Sequence, residues 1–122
     1  MSLVQIYKCL CDETRLRIMH LLTQGPLCVC HLQEILGGAQ TRISQHLAYL
    51  RKSGMAVCER RGTWMIYSLP EERTPELEAH LRCLQDCVSS DGMFREDLEA
   101  LHRLKADCAG PAEVRAPVSC GC

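Results

Sequence analysis

The run Gln40-Thr41-Arg42-Ile43-Ser44-Gln45-His46-Leu47-Ala48-Tyr49-Leu50-Arg51-Lys52-Ser53-Gly54 decides how the rest of the chain is read. Ile43, Leu47 and Leu50 recur at helical spacing and make one apolar stripe. Thr41 can cap a helix over Arg42 to Ser53, and Gly54 offers a left-handed stop. The opposite face is polar, with Gln40, Arg42, Ser44, Gln45, Tyr49 and Lys52. Such a helix buries one side while holding out hydrogen-bonding groups, which is what reading base edges in a major groove requires.

The flanks fit that role. Upstream, Leu3 to Leu10 predicts a short helix, and Asp12 caps a second over Glu13 to Thr23 with Leu16, Met19 and Leu22 inward. After Gln24-Gly25-Pro26, a third short helix is expected from Cys28 to Leu36, broken by Gly37-Gly38. Downstream the period changes. Ala56 to Arg61 and Trp64 to Leu69 read as strands joined at Gly62-Thr63, a hairpin with arginines at its tip. The expected fold is mainly α with a β-hairpin, a winged helix-turn-helix. Its DNA contacts would come from Gln40, Thr41, Arg42, Ser44, Gln45 and His46, and from Arg60 and Arg61 on the wing.

Thr74-Pro75 followed by Glu76 and Glu78 starts a fifth helix running to about Val88, with Leu77, Leu81, Leu84 and Val88 as its stripe. A sixth, Met93 to about Ala106, places Phe94, Leu98 and Leu101 on one face. We therefore expect one domain over residues 1–106 and a flexible, cysteine-containing tail over 107–122, where Gly110, Pro111, Pro117 and Gly121 interrupt any pattern. A length of 122 residues suits a single core. With 47% hydrophobic and 24% charged residues the chain is not a disordered one. Its longest apolar runs fall far short of the roughly 20 residues that cross a bilayer. Charges from Lys8 to Arg17 interrupt any signal-like core, so the expected location is the cytoplasm, with no membrane partner.

Net charge is −1, but it is unevenly spread. Residues 40–61 sum to +4 and residues 71–107 to −5. The basic segment is a plausible phosphate footprint, although a solvated helix face would look the same by charge alone.

Cys11-Asp12-Glu13-Thr14-Arg15-Leu16-Arg17-Ile18, Leu27-Cys28-Val29-Cys30-His31-Leu32 and Ile43-Ser44-Gln45-His46-Leu47 together resemble the ArsR/SmtB metal-sensing repressors. The hairpin Gly62-Thr63-Trp64-Met65-Ile66-Tyr67 is similar to their wing, and the resemblance extends over about residues 3–70. Within that family the chain looks most like the arsenical-resistance operon repressors. The resemblance implies a homodimer joined through its first and last helices, bound to operator double-stranded DNA until a metal or metalloid releases it. The expected inducer is trivalent arsenic or antimony, with no organic cofactor.

Ten cysteines in a reducing compartment point to soft-metal or redox chemistry rather than a disulfide framework. Cys28 and Cys30 are the primary candidate ligands, since thiolates suit soft ions and a helix N-terminus favours their charge. Some family members carry a further cysteine where this chain has Gln33, so a third sulfur would come from elsewhere. Cys9 and Cys11 are candidates, weighed against ordinary core packing. Cys83 and Cys87, with His80, fall along one flank of the fifth helix and form a second candidate site, weighed against interface packing. Cys58 is expected to pack, while Cys108, Cys120 and Cys122 on the tail either scavenge metal or play no part. In a regular helix residues two apart diverge by about 200°. Joint capture of one ion by Cys28 and Cys30 is therefore expected to unwind the first turn of the third helix.

Catalysis finds little footing. There is no Gly-rich phosphate loop, and Ser44 and His46 diverge on their helix. The chain is read as not an enzyme, with a thiol-dependent reductase as the catalytic rival. A sensor of another soft metal, or a thiol redox sensor on the same scaffold, are the regulatory rivals.

Overall fold

The computed structural model describes residues 2–86 and 90–107. Its elements run α1 (Leu3–Leu10), α2 (Glu13–Leu22), β1 (Leu27–Cys28), α3 (Val29–Leu36), α4 (Gln40–Lys52), β2 (Val57–Arg61), β3 (Trp64–Ser68), α5 (Pro75–Asp86) and α6 (Gly92–Asp107). Among the described residues this is a winged helix-turn-helix. The last helix reaches one residue past the expected domain end, and the tail over 108–122 lies outside the described residues, as do Cys87 and Val88. Among the described residues no helix is long and apolar enough to cross a membrane.

Local chemistry sets the helix ends. Asp12 accepts from the Arg15 backbone N–H at 3.1 Å, and Thr74 from that of Leu77 at 3.3 Å. The end of α4 is a Schellman turn: Met55 N–H donates to the Leu50 carbonyl (2.9 Å) and Gly54 N–H to that of Arg51 (3.1 Å). Gly54, at φ 80°, takes the left-handed conformation this turn needs. The start of α4 differs from expectation. Ala39, not Thr41, is the N-cap, and Thr41 is the second helical residue with its hydroxyl exposed.

The core gathers Ile6 and Cys9 of α1 with Leu32 of α3, the α4 stripe Ile43, Leu47 and Leu50, and Leu77, Leu81 and Leu84 of α5. Helix α2 sits at its centre, packed against α1, α4, α5, α6 and α3. That is why Ile18, Met19, His20, Leu21 and Leu22 are all buried, where the expected stripe of Leu16, Met19 and Leu22 was one-sided. Helix α6 folds back onto α2 and α3. Its buried side contains Phe94, Asp97 and Leu101, while the expected Leu98 is only half-buried. Asp97 takes this inward place because it accepts from Arg17 Nε and Nη2 at 2.9 and 2.8 Å.

A three-stranded sheet of order β1-β3-β2 completes the fold. The hairpin β2–β3 was expected. The first strand was not: Leu27 pairs with Tyr67 and Cys28 with Ile66, antiparallel. The segment after Pro26 is therefore fastened to the wing before it enters α3.

Candidate nucleic-acid interface and cysteine site

Helix α4 presents Gln40, Thr41, Arg42, Ser44 and Gln45 to solvent, and its stripe of Ile43, Leu47 and Leu50 holds that face rigidly on the core. A shallow open depression is lined by Gln40, Thr41, Ser44, Gln45 and Ala48. No side chain caps the helix start. Its first backbone donors therefore face outward beside amide, hydroxyl and guanidinium groups, a set suited to phosphate and base edges.

His46 is placed differently from the other expected contacts. It turns inward, with Nδ1 3.4 Å from Arg15 Nη1 and 3.9 Å from Asp12 Oδ1. Arg15 also donates to the carbonyls of Cys9 (2.9 Å) and Lys8 (3.1 Å), and its guanidinium lies 4.2 Å over the Tyr49 ring. This arginine thus ties the end of α1 to the recognition helix. Burial pushes the Asp12 carboxyl up, but the Arg15 backbone N–H and the charges of His46 and Arg15 leave it below its ordinary value. Nothing in the periodicity of the sequence signalled the Arg15 clamp, because its partners lie on three elements.

The wing arginines differ from one another. Arg61 is paired with Glu59 at 3.0 Å on an exposed surface, so an approaching phosphate must compete with that carboxylate. Exposed Arg60 donates to the Gly62 carbonyl at 3.1 Å through Nε and belongs to no ion pair among those formed by the described residues.

The sulfurs of Cys28 and Cys30 stand 2.9 Å apart. They converge because Cys28 is not helical. It is the last residue of β1 and the N-cap of α3, extended at φ −84° and ψ 160°, while Cys30 is the second helical residue. The geometric premise for unwinding is overturned: the pair already shares a side with the helix intact. For comparison, thiolate–zinc bonds of about 2.3 Å let one ion bridge sulfurs up to about twice that distance apart. Cys28 is buried and Cys30 half-buried, beside an open depression lined by Cys30, Gln33, Glu34 and Gly38. Next to them, burial holds the His31 imidazole below its ordinary value; Glu34 opposes this and Lys105 adds to it.

The other expected ligands are scattered. Cys9 is buried in the core and Cys11 is exposed at the end of α1. Cys83 is exposed on α5, and its expected partner Cys87 lies outside the described residues. His80 has both ring nitrogens engaged: Nδ1 donates to the Glu76 carbonyl (2.8 Å), and the Tyr7 hydroxyl donates to Nε2 (3.0 Å). Among the described residues no three His, Cys, Asp or Glu side chains are assembled to hold a metal ion.

The family model for the arsR family of bacterial regulatory proteins matches residues 12–56, from the α2 cap to the end of the recognition helix and its turn. The arsenical resistance operon repressor of Escherichia coli K12 is 40% identical over 92 residues, which cover 71% of this chain and 79% of that protein. This chain belongs to the ArsR family. The arsenic resistance transcriptional regulator ArsR1 of Pseudomonas putida is also 40% identical, over 82 residues, covering 66% of this chain and 64% of its own length. Among solved structures, reduced HlyU from Vibrio cholerae superposes with a TM-score of 0.60 at 31% identity, over 66% of this chain and 82% of that one. ArsR-family proteins are DNA-binding transcriptional regulators rather than enzymes.

Proposed function

We propose that this ArsR-family chain is a metalloid-responsive repressor that binds operator double-stranded DNA as a homodimer and lets go when Cys28 and Cys30 capture trivalent arsenic or antimony. The observation that carries the reading is the 2.9 Å sulfur pair at the head of α3. The names of the two arsenic-resistance relatives add the ligand class. Arsenous acid would exchange hydroxyls for sulfurs, each thiol proton leaving with a hydroxide as water.

Two routes lead from that pair to the DNA face. Helix α3 packs against α4 across the left-handed pair Gly37 (φ 74°) and Gly38 (φ 82°). Cys28 itself is paired with Ile66 of the wing strand. Pulling the sulfurs onto an ion shifts both the recognition helix and the wing without melting a turn. By linkage, an inducer that weakens DNA binding must bind the free protein more tightly than the DNA-bound one.

Leu3, Val4 and Tyr7 leave an exposed apolar face on α1, at 47%, 64% and 53% exposure, which pairing with a second copy would cover. Helix α5, beside α1, is the partner element in this reading; α6 is already occupied by α2 and α3. The reaction takes place in the cytoplasm, where thiols stay reduced.

The test is a titration of the reduced protein against an operator-like palindrome, with arsenite, antimonite and cadmium added in separate arms. Release at low arsenite or antimonite supports the reading. Release by cadmium alone would reassign the inducer, and failure to bind DNA at all would sink it.

A further inference from the structure

Helix α6 is pinned to α2 at its beginning by the Arg17–Asp97 pair at 2.8 Å and by Phe94 edge-on to His20 at 5.0 Å. It then runs onto α3, where Lys105 comes near enough for its charge to act on His31, the residue after Cys30. The inward side of α6 follows the spacing Phe94, Asp97, Leu101, Leu104, alternating three and four residues. The next position in that series is 108, and residue 108 is a cysteine. Lys105 and residue 108 are also i,i+3 neighbours on a helical path. So the element that ends against the head of α3 carries a thiol at the next inward position. Meanwhile Gln33 occupies the place where some relatives carry their third sulfur, and the described residues assemble no three-ligand set.

From this convergence we infer that Cys108 supplies the third sulfur to a metalloid held by Cys28 and Cys30, with α6 as the arm that delivers it. The inference rests on the proposed Cys28–Cys30 site. Trivalent arsenic prefers to replace all of its hydroxyls: As(OH)3 and three thiols give a tris-thiolate and three waters. Three As–S bonds form, three As–O bonds break, and no electrons are transferred. Capture would also draw the end of α6 toward α3, so the sensor would register its ligand in two elements at once.

The experiment uses the full-length reduced protein loaded with one equivalent of arsenite, and counts arsenic–sulfur bonds by X-ray absorption at the arsenic edge. Wild type should show three. Cys108→Ser should show two sulfurs and one oxygen, with arsenite affinity lower by tenfold or more, since loss of even an outer-shell partner costs about 10–100-fold at metal sites. Cys120→Ser combined with Cys122→Ser should keep three. Two sulfurs in wild type, or three retained in Cys108→Ser, would overturn the assignment to Cys108. Cys28→Ser and Cys30→Ser separate the two levels. If they bind arsenite as wild type does, the underlying site is wrong; if they fail while Cys108→Ser does not, only the α6 inference falls.

Discussion

The start of α4 and the start of α3 are both exits from a short turn into a helix, yet the fold treats them oppositely. At α4 no side chain caps the helix, and Gln40, Thr41, Arg42, Ser44 and Gln45 face solvent. At α3 the entering residue Cys28 is buried, paired in a sheet with Ile66, and 2.9 Å from its chemical partner. The first is a surface left open for a large ligand, rigid only through the stripe beneath it. The second is built into the core and the wing together, so whatever disturbs it disturbs both. The contrast teaches where a signal can start: a small ion can exert force only where the backbone around its ligands is already fastened to something else.

If the α3 end is held by its surroundings, loosening those surroundings should cost stability and leave the α4 chemistry intact. Asp97→Ala strips Arg17 of its bidentate partner in the α2–α6 interface. Breaking a fully buried pair costs roughly 3–5 kcal/mol; with Arg17 at 20% side-chain exposure the loss should fall short of that. Urea unfolding measures it, and operator affinity of the still-folded protein should be unchanged.

The opposite result is expected on α4. Arg42→Ala and Gln45→Ala should leave the unfolding midpoint in place and weaken operator binding by about 1–3 kcal/mol wherever a base contact is lost. His46→Ala should behave unlike them, because His46 faces Arg15 and Asp12. A loss of base discrimination in His46→Ala equal to that in Gln45→Ala would break the division drawn between the two faces.

A smaller effect should appear in acid. His20 is buried edge-on to Phe94 with neither ring nitrogen hydrogen-bonded, and burial holds it below its ordinary value despite the opposing charge of Asp97. The unfolded chain therefore takes up a proton near pH 6.5 that the folded chain refuses. Stability is full above about pH 6.5 and falls as pH drops toward the folded value. His20→Leu should flatten the dependence of the melting temperature on pH below 6.5. The smallest change is on the wing: Arg60→Ala should lower the salt slope of DNA binding by about one and weaken all sequences alike. Arg61→Ala should do less, since Glu59 already holds that side chain.

Much of this was legible in the chain because it depends on local chemistry. Asp12, Thr74 and Gly54 announce their helix ends, and Ile43, Leu47 and Leu50 announce a buried stripe. What escaped is what is decided at a distance. The two-residue strand Leu27–Cys28 exists only because β3 lies beside it. With only helix geometry to go on, Cys28 and Cys30 seemed unable to meet without unwinding. The Pro26-Leu27-Cys28-Val29 run, apolar and following a proline, was the one local hint of extended backbone. Asp97 looked like a solvent-facing acid until Arg17, 80 residues away in sequence, turned it inward. Thr41 read as a cap because a threonine before a helical pattern usually is one. Here the helix starts one residue earlier and its hydroxyl is exposed for contact.

The central claim is that recognition and sensing are separate regions joined by a prebuilt sulfur pair. Operator binding by Cys28→Ser and Cys30→Ser, followed across an arsenite titration, tests it most directly. The account predicts wild-type operator affinity in both variants and no release at arsenite concentrations that free the wild-type protein. Release of both variants at the wild-type concentration would contradict it and move the sensing site away from the head of α3.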